Sequence, residues 1–510
     1  MRSYLNNAAL LIIGASSLAV ASPVRRQSNG TGTYEIKWGP CSDDSDNPNL
    51  DCGTLEVPMD WDNTGGSKIK LDVARLRTNG TNKLGSIFVN PGGPGGPARD
   101  ICAGLSEEPG EFSNLLDHYD MVCPDPRGVG PSTKVVCDAD LWASTPSYFV
   151  DDENSWEQVL EFNKALAESC LNLTGPHMGF VDTESAAKDL DALRIAVGDD
   201  KFNYLGFSYG TQLGARYAEL FPDNIGRMVL DGGVDPSLSE YQSYIHGNWA
   251  MNDELERFFE WCDYNSSCAL HSNSSNSSTA AIWDTLIARA NEKPIPAPGC
   301  AANATGEAAG TCKTNATGYD IIFKLEDIFQ LYSNWPRLSE AMQEAIDGNA
   351  TILSVDFNPL AYANLAIGCL DNPTESTTYD EHVALQNLGT AMFPHALGSS
   401  MQLQFATTCI GWPFKPRNPP HVFNSTAGDD LTPILIVNAY HDPATGISEA
   451  MGLHRQIPNS VFLARTGDGH TSYSADQVLH DAIDAWLING TMPAQNTVVV
   501  QELDWVPTYE

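Results

Sequence analysis

One stretch restricts this chain more than any other: Lys201-Phe202-Asn203-Tyr204-Leu205-Gly206-Phe207-Ser208-Tyr209-Gly210-Thr211. A β-prone run from Phe202 to Leu205 enters G-x-S-x-G, and a small-residue helix pattern follows with Gly210, Gly214, Ala215 and Ala218. A serine on so sharp a strand-to-helix turn sits in a strained backbone conformation, which is tolerated only if the residues two before and two after it carry no side chain. The turn presents the Ser208 hydroxyl as a nucleophile. It also leaves the amide of Tyr209 free at a helix N-terminus, where it can donate to a developing oxyanion. A chance G-x-S-x-G in a glycine-rich chain is the bland alternative, and the strand before and helix after argue against it.

At 510 residues the chain is long enough for one large decorated domain or two, and 42% hydrophobic residues are ample for a buried core. Lys+Arg 28 against Asp+Glu 65 leaves a net charge of −37. So acidic a surface argues against nucleic acid and anionic membranes as partners.

The N-terminus has the pattern of a secretory leader, with Arg2 as the positive end, Ala8 to Val20 as the apolar core and Ala19-Val20-Ala21 as an A-x-A cleavage site. The expected leader is 1–21, followed by a short segment, 22–33, in which Arg25-Arg26 offers a processing site. Twelve cysteines fit an oxidising compartment. No C-x-x-C pair occurs, so a zinc or thioredoxin-like reading has little support. Pairing by loop proximity gives Cys41–Cys52, Cys102–Cys123, Cys137–Cys170, Cys262–Cys268, Cys300–Cys312 and Cys369–Cys409. N-x-S/T sequons begin at Asn29, Asn79, Asn172, Asn265, Asn273, Asn276, Asn303, Asn315, Asn349, Asn424 and Asn489, which makes these the candidate glycosylation sites of a secreted, extracellular chain.

Along the chain, Thr54 to Val57 and Ile69 to Leu76 alternate polar and apolar around an Asn63-Thr64-Gly65-Gly66 turn, which predicts antiparallel strands. Ser86 to Val89 reads as a buried strand running into Asn90-Pro91-Gly92-Gly93-Pro94-Gly95-Gly96. Glycines in that number let backbone amides approach a substrate carbonyl oxygen. After a second apolar strand, Asp120 to Cys123, Arg127 stands among glycines and is expected to brace the glycine loop. An amphipathic helix over Asp182 to Val197 leads to the Ser208 strand, and Ile225 to Asp231 forms the next strand. The alternation predicts an α/β fold with a mostly parallel, doubly wound sheet. From Asp235 to about Ser425 helical patterns dominate, read as a cap over the strand ends. The sheet resumes with Pro433 to Asn438 and Ser460 to Ala464, and a helix through Val478, Ile483 and Trp486 is expected to close the chain. The organisation is thus 34–235 as first core part, 236–425 as helical cap, and 426–510 as second core part.

Ser208, Asp442 and His470 follow in the order Ser…Asp…His, each just past a strand's C-terminal end, as an α/β-hydrolase fold requires. His470 would take the Ser208 proton, and Asp442 would hold the imidazole in its useful tautomer. His441 and Asp468 are the local rivals. A neighbour on an extended segment points the other way, and Asp468 lies too near His470 in the chain.

The motifs from Asn90 to Gly96, Asp125 to Gly130, Gly206 to Gly210, Gly226 to Gly232, Ile367 to Asp371 and Cys409 to Pro413 together resemble the tripeptidyl-aminopeptidase-like branch of the prolyl-aminopeptidase family of serine peptidases. The resemblance runs from about Trp38 to the C-terminus. It implies an α/β-hydrolase fold with a helical cap inserted before the last strands, and release of amino acids or short peptides from free N-termini without a metal or cofactor. Ser208, Asp442 and His470 match the triad of that branch, and Gly93 and Tyr209 match its oxyanion positions. The chain departs from the branch at Pro443-Ala444-Thr445-Gly446, where a second proline is usual, and lacks a C-terminal cysteine pair. The expected activity is that of a secreted exopeptidase working through an acyl-enzyme on Ser208, with a carboxylesterase acting on small or secondary-metabolite esters as the alternative. A free substrate amine would need a cap carboxylate, for which Glu326, Asp327, Glu340, Glu344 and Asp371 are available. The expected partner is a peptide or small ester, with no nucleic acid and no membrane.

Overall fold

The computed structural model describes residues 34–41, 47–271, 278–305, 308–358 and 361–501. The leader at 1–21, the segment 22–33 (Asn29 included) and the sequons at Asn273 and Asn276 lie outside the described residues or, for residue 33 and below, wholly before them.

Strands β1 (Lys37–Pro40), β2 (Leu50–Pro58) and β3 (Lys68–Leu76) pair antiparallel. Their alternation is the physical cause: Leu55, Val57, Ile69, Leu71 and Val73 point into the core while Glu56, Lys68 and Lys70 face water. Strands β4 (Gly85–Asn90), β5 (Tyr119–Pro124), β6 (Phe202–Phe207) and β7 (Ile225–Asp231) follow, then a two-residue pair, β8 (Ile295–Pro296) and β9 (Asn315–Ala316), and finally β10 (Ile434–His441), β11 (Val461–Asp468) and β12 (Thr497–Val499). The large sheet has the order β1-β2-β3-β5-β4-β6-β7-β10-β11-β12. From β5 to β12 every neighbouring pair is parallel.

The central strands are nearly continuous apolar runs because both faces are covered. Phe88, Val122, Tyr204, Met228, Leu230 and Ile436 enter one core, while their chain neighbours Val89, Met121, Leu205, Val229, Leu435 and Val437 enter the other. Two features depart from the expected pattern. β11 continues through Arg465 to Asp468, because the Arg465 guanidinium finds buried acceptors. The helix Gln477–Asp484 does not end the fold, since β12 adds a short, half-exposed edge whose three residues carry too little periodicity to read.

Between β7 and β10, which are neighbours in the sheet, the chain makes a long helical excursion, called the insert below. It opens with the helix Glu240–Tyr264, started by a Ser239–Gln242 capping box, and includes the helix Gly318–Ile328, started by a Thr317–Asp320 box. The insert has its own core, in which Phe258, Trp261, Trp283 and Trp335 meet.

All six expected disulfides form: Cys41–Cys52, Cys102–Cys123, Cys137–Cys170, Cys262–Cys268, Cys300–Cys312 and Cys369–Cys409. Each closes a short stretch of chain. Of the described sequon asparagines, Asn79, Asn172, Asn303, Asn315, Asn424 and Asn489 are exposed and Asn265 and Asn349 half-exposed. Among the described residues no helix is long and apolar enough to cross a membrane.

Candidate active site

Strand register brings the chemistry to one edge. Phe207 at the end of β6 lies opposite Asp231, Asp231 opposite Val437, and His441 opposite Asp468. Ser208, Asp442 and His470 therefore leave three strands of one sheet at the same end.

Ser208 has φ 57° and ψ −127°, a region that costs of order 1–3 kcal/mol for a residue with a side chain. The flanking glycines make the turn possible. A Cβ on Gly206 would stand 2.6 Å from the carbonyl oxygen of Gly210, and one on Gly210 would stand 2.9 Å from that of Asn90. The amide of Ser208 donates to the carbonyl of Asp231 at 2.9 Å, tying the elbow to β7. The helix Tyr209–Leu220 begins immediately after it.

The glycine loop folds over this elbow. Asn90 Oδ1 accepts the Gly92 amide at 3.0 Å, Gly92 accepts the Gly96 amide at 3.1 Å, and Asn364 of the insert donates to Pro94 O at 3.1 Å. A Cβ on Gly92 would stand 2.5 Å from Phe207 O and 3.1 Å from Tyr209 N, so loop and elbow are in contact. The amides of Gly93 and Tyr209 donate to no protein group among the described residues, and both residues line the cavity that contains Ser208.

Arg127 does not brace this loop. Its buried guanidinium makes a bidentate pair with Asp189 at 2.6 and 2.7 Å and donates to the carbonyls of Pro58, Met59 and Phe180. A carboxylate on the helix Thr183–Val197 matches the planar fork better than loop carbonyls do.

His470 Nδ1 meets both Asp442 oxygens, at 2.8 and 2.9 Å. The carboxylate is filled out by the amides of Ala444, Thr445 and Thr471 and by the Thr445 hydroxyl. Burial disfavours charge on both partners, yet their mutual attraction prevails. The imidazole pKa is raised above its ordinary value despite burial, and the Asp442 carboxyl is held below its own. The rivals are engaged elsewhere, His441 with Asp253 at 2.6 Å and Asp468 with Arg257. A Cβ on Gly232, the residue after Asp231, would stand 3.2 Å from His470 Cε1, which puts the ring beside the strand that holds the Ser208 amide. Among the described residues the Ser208 hydroxyl has no hydrogen-bond partner, and such bonds are often long in an enzyme without substrate.

Two positioning groups escape a sequence reading. Asp231 Oδ2 accepts the amides of Ser472 and Tyr473, both at 2.8 Å, so one residue ties the Ser208 elbow to the loop that carries His470. Burial raises its carboxyl to about 6, against the lowering effect of those amides and of Arg465. Arg465, fully buried, donates to the carbonyls of Asp468, Gly469 and Thr471. The only trace of it in the sequence is a charged residue continuing an apolar strand.

A cavity of about 490 Å³ lies over Ser208, walled by the glycine loop, by Tyr148 and Phe149, and by insert residues including Tyr319, Phe323 and Glu326. Phe149 stacks on Tyr319 with ring centres 3.7 Å apart. Its lysines are already paired, Lys313 with Asp320 and Lys324 with Asp327 and Asp356. Of the five carboxylates available from the sequence, Glu340 and Glu344 pair with Arg337 on the surface and Asp327 with Lys324. Glu326 and Asp371 line the cavity without a cation, and so does Glu449, which follows the Asp442 loop and was not among the five. Burial pushes Glu326 and Glu449 up to about 8 and Asp371 to about 7. Among the described residues no cluster of His, Cys, Asp or Glu has the arrangement of a metal site.

Residues 85–281 match the family model described as the alpha/beta hydrolase fold, and residues 394–499 match that of TAP-like protein. The chain is 28% identical to serine protease Hip1 of Mycobacterium tuberculosis, covering 95% of this chain and 94% of that one. It is 28% identical to a tripeptidyl aminopeptidase of Streptomyces lividans, with coverage of 90% and 86%. It is 29% identical to carboxylesterase B of Mycobacterium tuberculosis, with coverage of 89% and 88%.

Proposed function

The chain is a serine hydrolase of the α/β-hydrolase fold, and on that premise we propose that it is an exopeptidase acting on free N-termini through an acyl-enzyme on Ser208. One observation carries the reading: the cavity over Ser208 presents three carboxyl groups, on Glu326, Asp371 and Glu449, that have no cation of their own. A substrate ammonium supplies what they lack, whereas a blocked N-terminus leaves them unpaired. The tripeptidyl aminopeptidase among the relatives supports the same substrate class.

In this mechanism Ser208 Oγ attacks the scissile carbonyl carbon while His470 Nε2 takes its proton. The new oxyanion receives the amides of Gly93 and Tyr209. Asp442 stays ionised and holds Nδ1–H, so that the positive imidazolium is stabilised as it forms. Collapse of the intermediate expels the leaving amine, protonated by His470, and leaves an ester on Ser208. Water, deprotonated by the same imidazole, then releases the N-terminal product. Six disulfides and the leader pattern at 1–21 support secretion, and the accessible sequons support glycosylation at Asn79, Asn172, Asn265, Asn303, Asn315, Asn349, Asn424 and Asn489.

An esterase reading uses the same three residues, and a carboxylesterase stands among the relatives. One panel separates the two: a tripeptidyl nitroanilide, its N-acetylated form and short acyl nitrophenyl esters. The exopeptidase reading expects acetylation to lower kcat/KM by roughly a hundredfold. Equal rates on both peptides, with faster turnover of the esters, would overturn it.

A further inference from the structure

The loop from Gly469 to Tyr473 carries His470, and each of its backbone amides has an acceptor. Gly469 donates to His441 O at 3.1 Å, Thr471 to Asp442 Oδ2 at 3.1 Å, and Ser472 and Tyr473 to Asp231 Oδ2 at 2.8 Å. Those acceptors all stand at strand ends of the sheet. The amide of His470 goes elsewhere, to the carbonyl of Gln330 at 3.0 Å, in the turn just past the insert helix Gly318–Ile328. The packing there is close, since a Cβ on Gly469 would stand 3.3 Å from both Gln330 O and Tyr332 N.

A second tie runs from the insert to Asp468, the last residue of β11 and the one immediately before that loop. Arg257, on the helix Glu240–Tyr264, donates through Nε and Nη2 to the two oxygens of Asp468, the Nη2 contact measuring 3.1 Å. The Asp468 side chain is 0% exposed, so no water can replace that cation without moving the loop.

We infer that Arg257 is a positioning residue for the hydrolysis: by holding Asp468 it fixes the histidine loop against the insert and so sets where His470 Nε2 stands relative to Ser208. The inference rests on the reading of Ser208 and His470 as nucleophile and base. The Ser208 hydroxyl has no hydrogen-bond partner among the described residues, so the approach of base to nucleophile depends on what holds their two loops. A displacement of about 1 Å in such a pair costs roughly a hundredfold in rate. The helix Gly318–Ile328, two residues before Gln330, also lines the cavity through Phe323 and Glu326, which joins the surface that meets substrate to the turn that holds the base.

The test compares Arg257→Ala, Arg257→Lys, Asp468→Asn and the Arg257→Ala/Asp468→Asn double variant, with Arg337→Ala, an exposed ion pair on another insert helix, as control. Each is measured for kcat and KM on a peptide nitroanilide and a short acyl ester, for the rate at which a fluorophosphonate labels Ser208, and for thermal midpoint. Arg257→Ala is expected to lower kcat by about ten- to a hundredfold on both substrates with KM within about twofold, and to slow labelling in proportion. Asp468→Asn does the same, the double variant is no worse than either single one, and Arg257→Lys recovers part of the loss. A lowered thermal midpoint with kcat per folded molecule unchanged would overturn the inference. If Arg257→Ala does not fold, the near-isosteric Asp468→Asn decides by the same split. Full activity in Ser208→Ala would instead remove the nucleophile assignment beneath it.

Discussion

Asp231 and Ser208 share a hydrogen bond of 2.9 Å, from the serine amide to the aspartate carbonyl, while the carboxylate of the same Asp231 holds the amides of Ser472 and Tyr473. The two loops that carry the proposed nucleophile and base are thus registered on one residue at the end of β7. Replacing Asp231 with Ala keeps the backbone bond and removes the side-chain one. Each buried amide left without an acceptor costs about 1–3 kcal/mol, read by denaturant unfolding. In the fraction that folds, kcat is expected to fall while KM holds.

The glycines of the elbow permit a sharper contrast. Gly206→Ala and Gly210→Ala push a methyl group against backbone oxygens at 2.6 and 2.9 Å and should cost about 1–3 kcal/mol or more, with loss of fluorophosphonate labelling. Gly104, in the helix Arg99–Glu107, has open space at its Cβ position, and its change to Ala should stabilise by roughly 0.5–1 kcal/mol without touching activity.

The raised imidazole pKa of His470 places the acid limb of the kcat/KM profile above the ordinary histidine value, because burial is more than offset by the Asp442 carboxylate. In Asp442→Asn the effect of burial is no longer offset by that carboxylate, and only the more distant charges of Asp231 and Arg465 act beside it, so the limb should move to lower pH while kcat falls by about 10⁴-fold. A pH–rate series on the two proteins measures both.

Stability should decline as the solution becomes alkaline. Asp125 and Asp371 are raised to about 7, and Glu326 and Glu449 to about 8, each by burial before any other cause. The folded state therefore holds protons that the unfolded chain gives up near pH 4. The contribution is fully present below that value and is lost as pH rises toward 7 and 8. Thermal midpoints taken from pH 4 to 9 should fall over that window, and Glu326→Gln or Glu449→Gln should flatten the decline.

How much of this was legible in the sequence depends on how far apart the interacting groups lie along the chain. The glycine requirement at Gly206 was readable because its cause is local, a collision with Gly210 four residues on, whereas Gly210 itself is held free of a side chain by the distant Asn90. The strands preceding Asp442 and His470 were readable from apolar runs alone, but each runs three or four residues past its expected end, to His441 and Asp468. Arg127 misled because its carboxylate partner, Asp189, stands 62 positions further along. Asp231 and Arg465 act only once three distant segments meet. Gln330 serves through its main-chain carbonyl and leaves no trace in residue type. Helical periodicity could not say which face of an insert helix meets the cavity, so five carboxylates stood level until Glu340 and Glu344 proved to face water.

The cross-links carry a practical consequence. Every one of the six bonds joins cysteines no more than 40 positions apart, and none bridges the insert to the sheet. A proteolytic nick outside those small rings would leave two polypeptides joined by packing alone, which would separate on a denaturing gel even without reductant. The integrity of the folded chain therefore rests on its buried apolar contacts rather than on its sulfur chemistry.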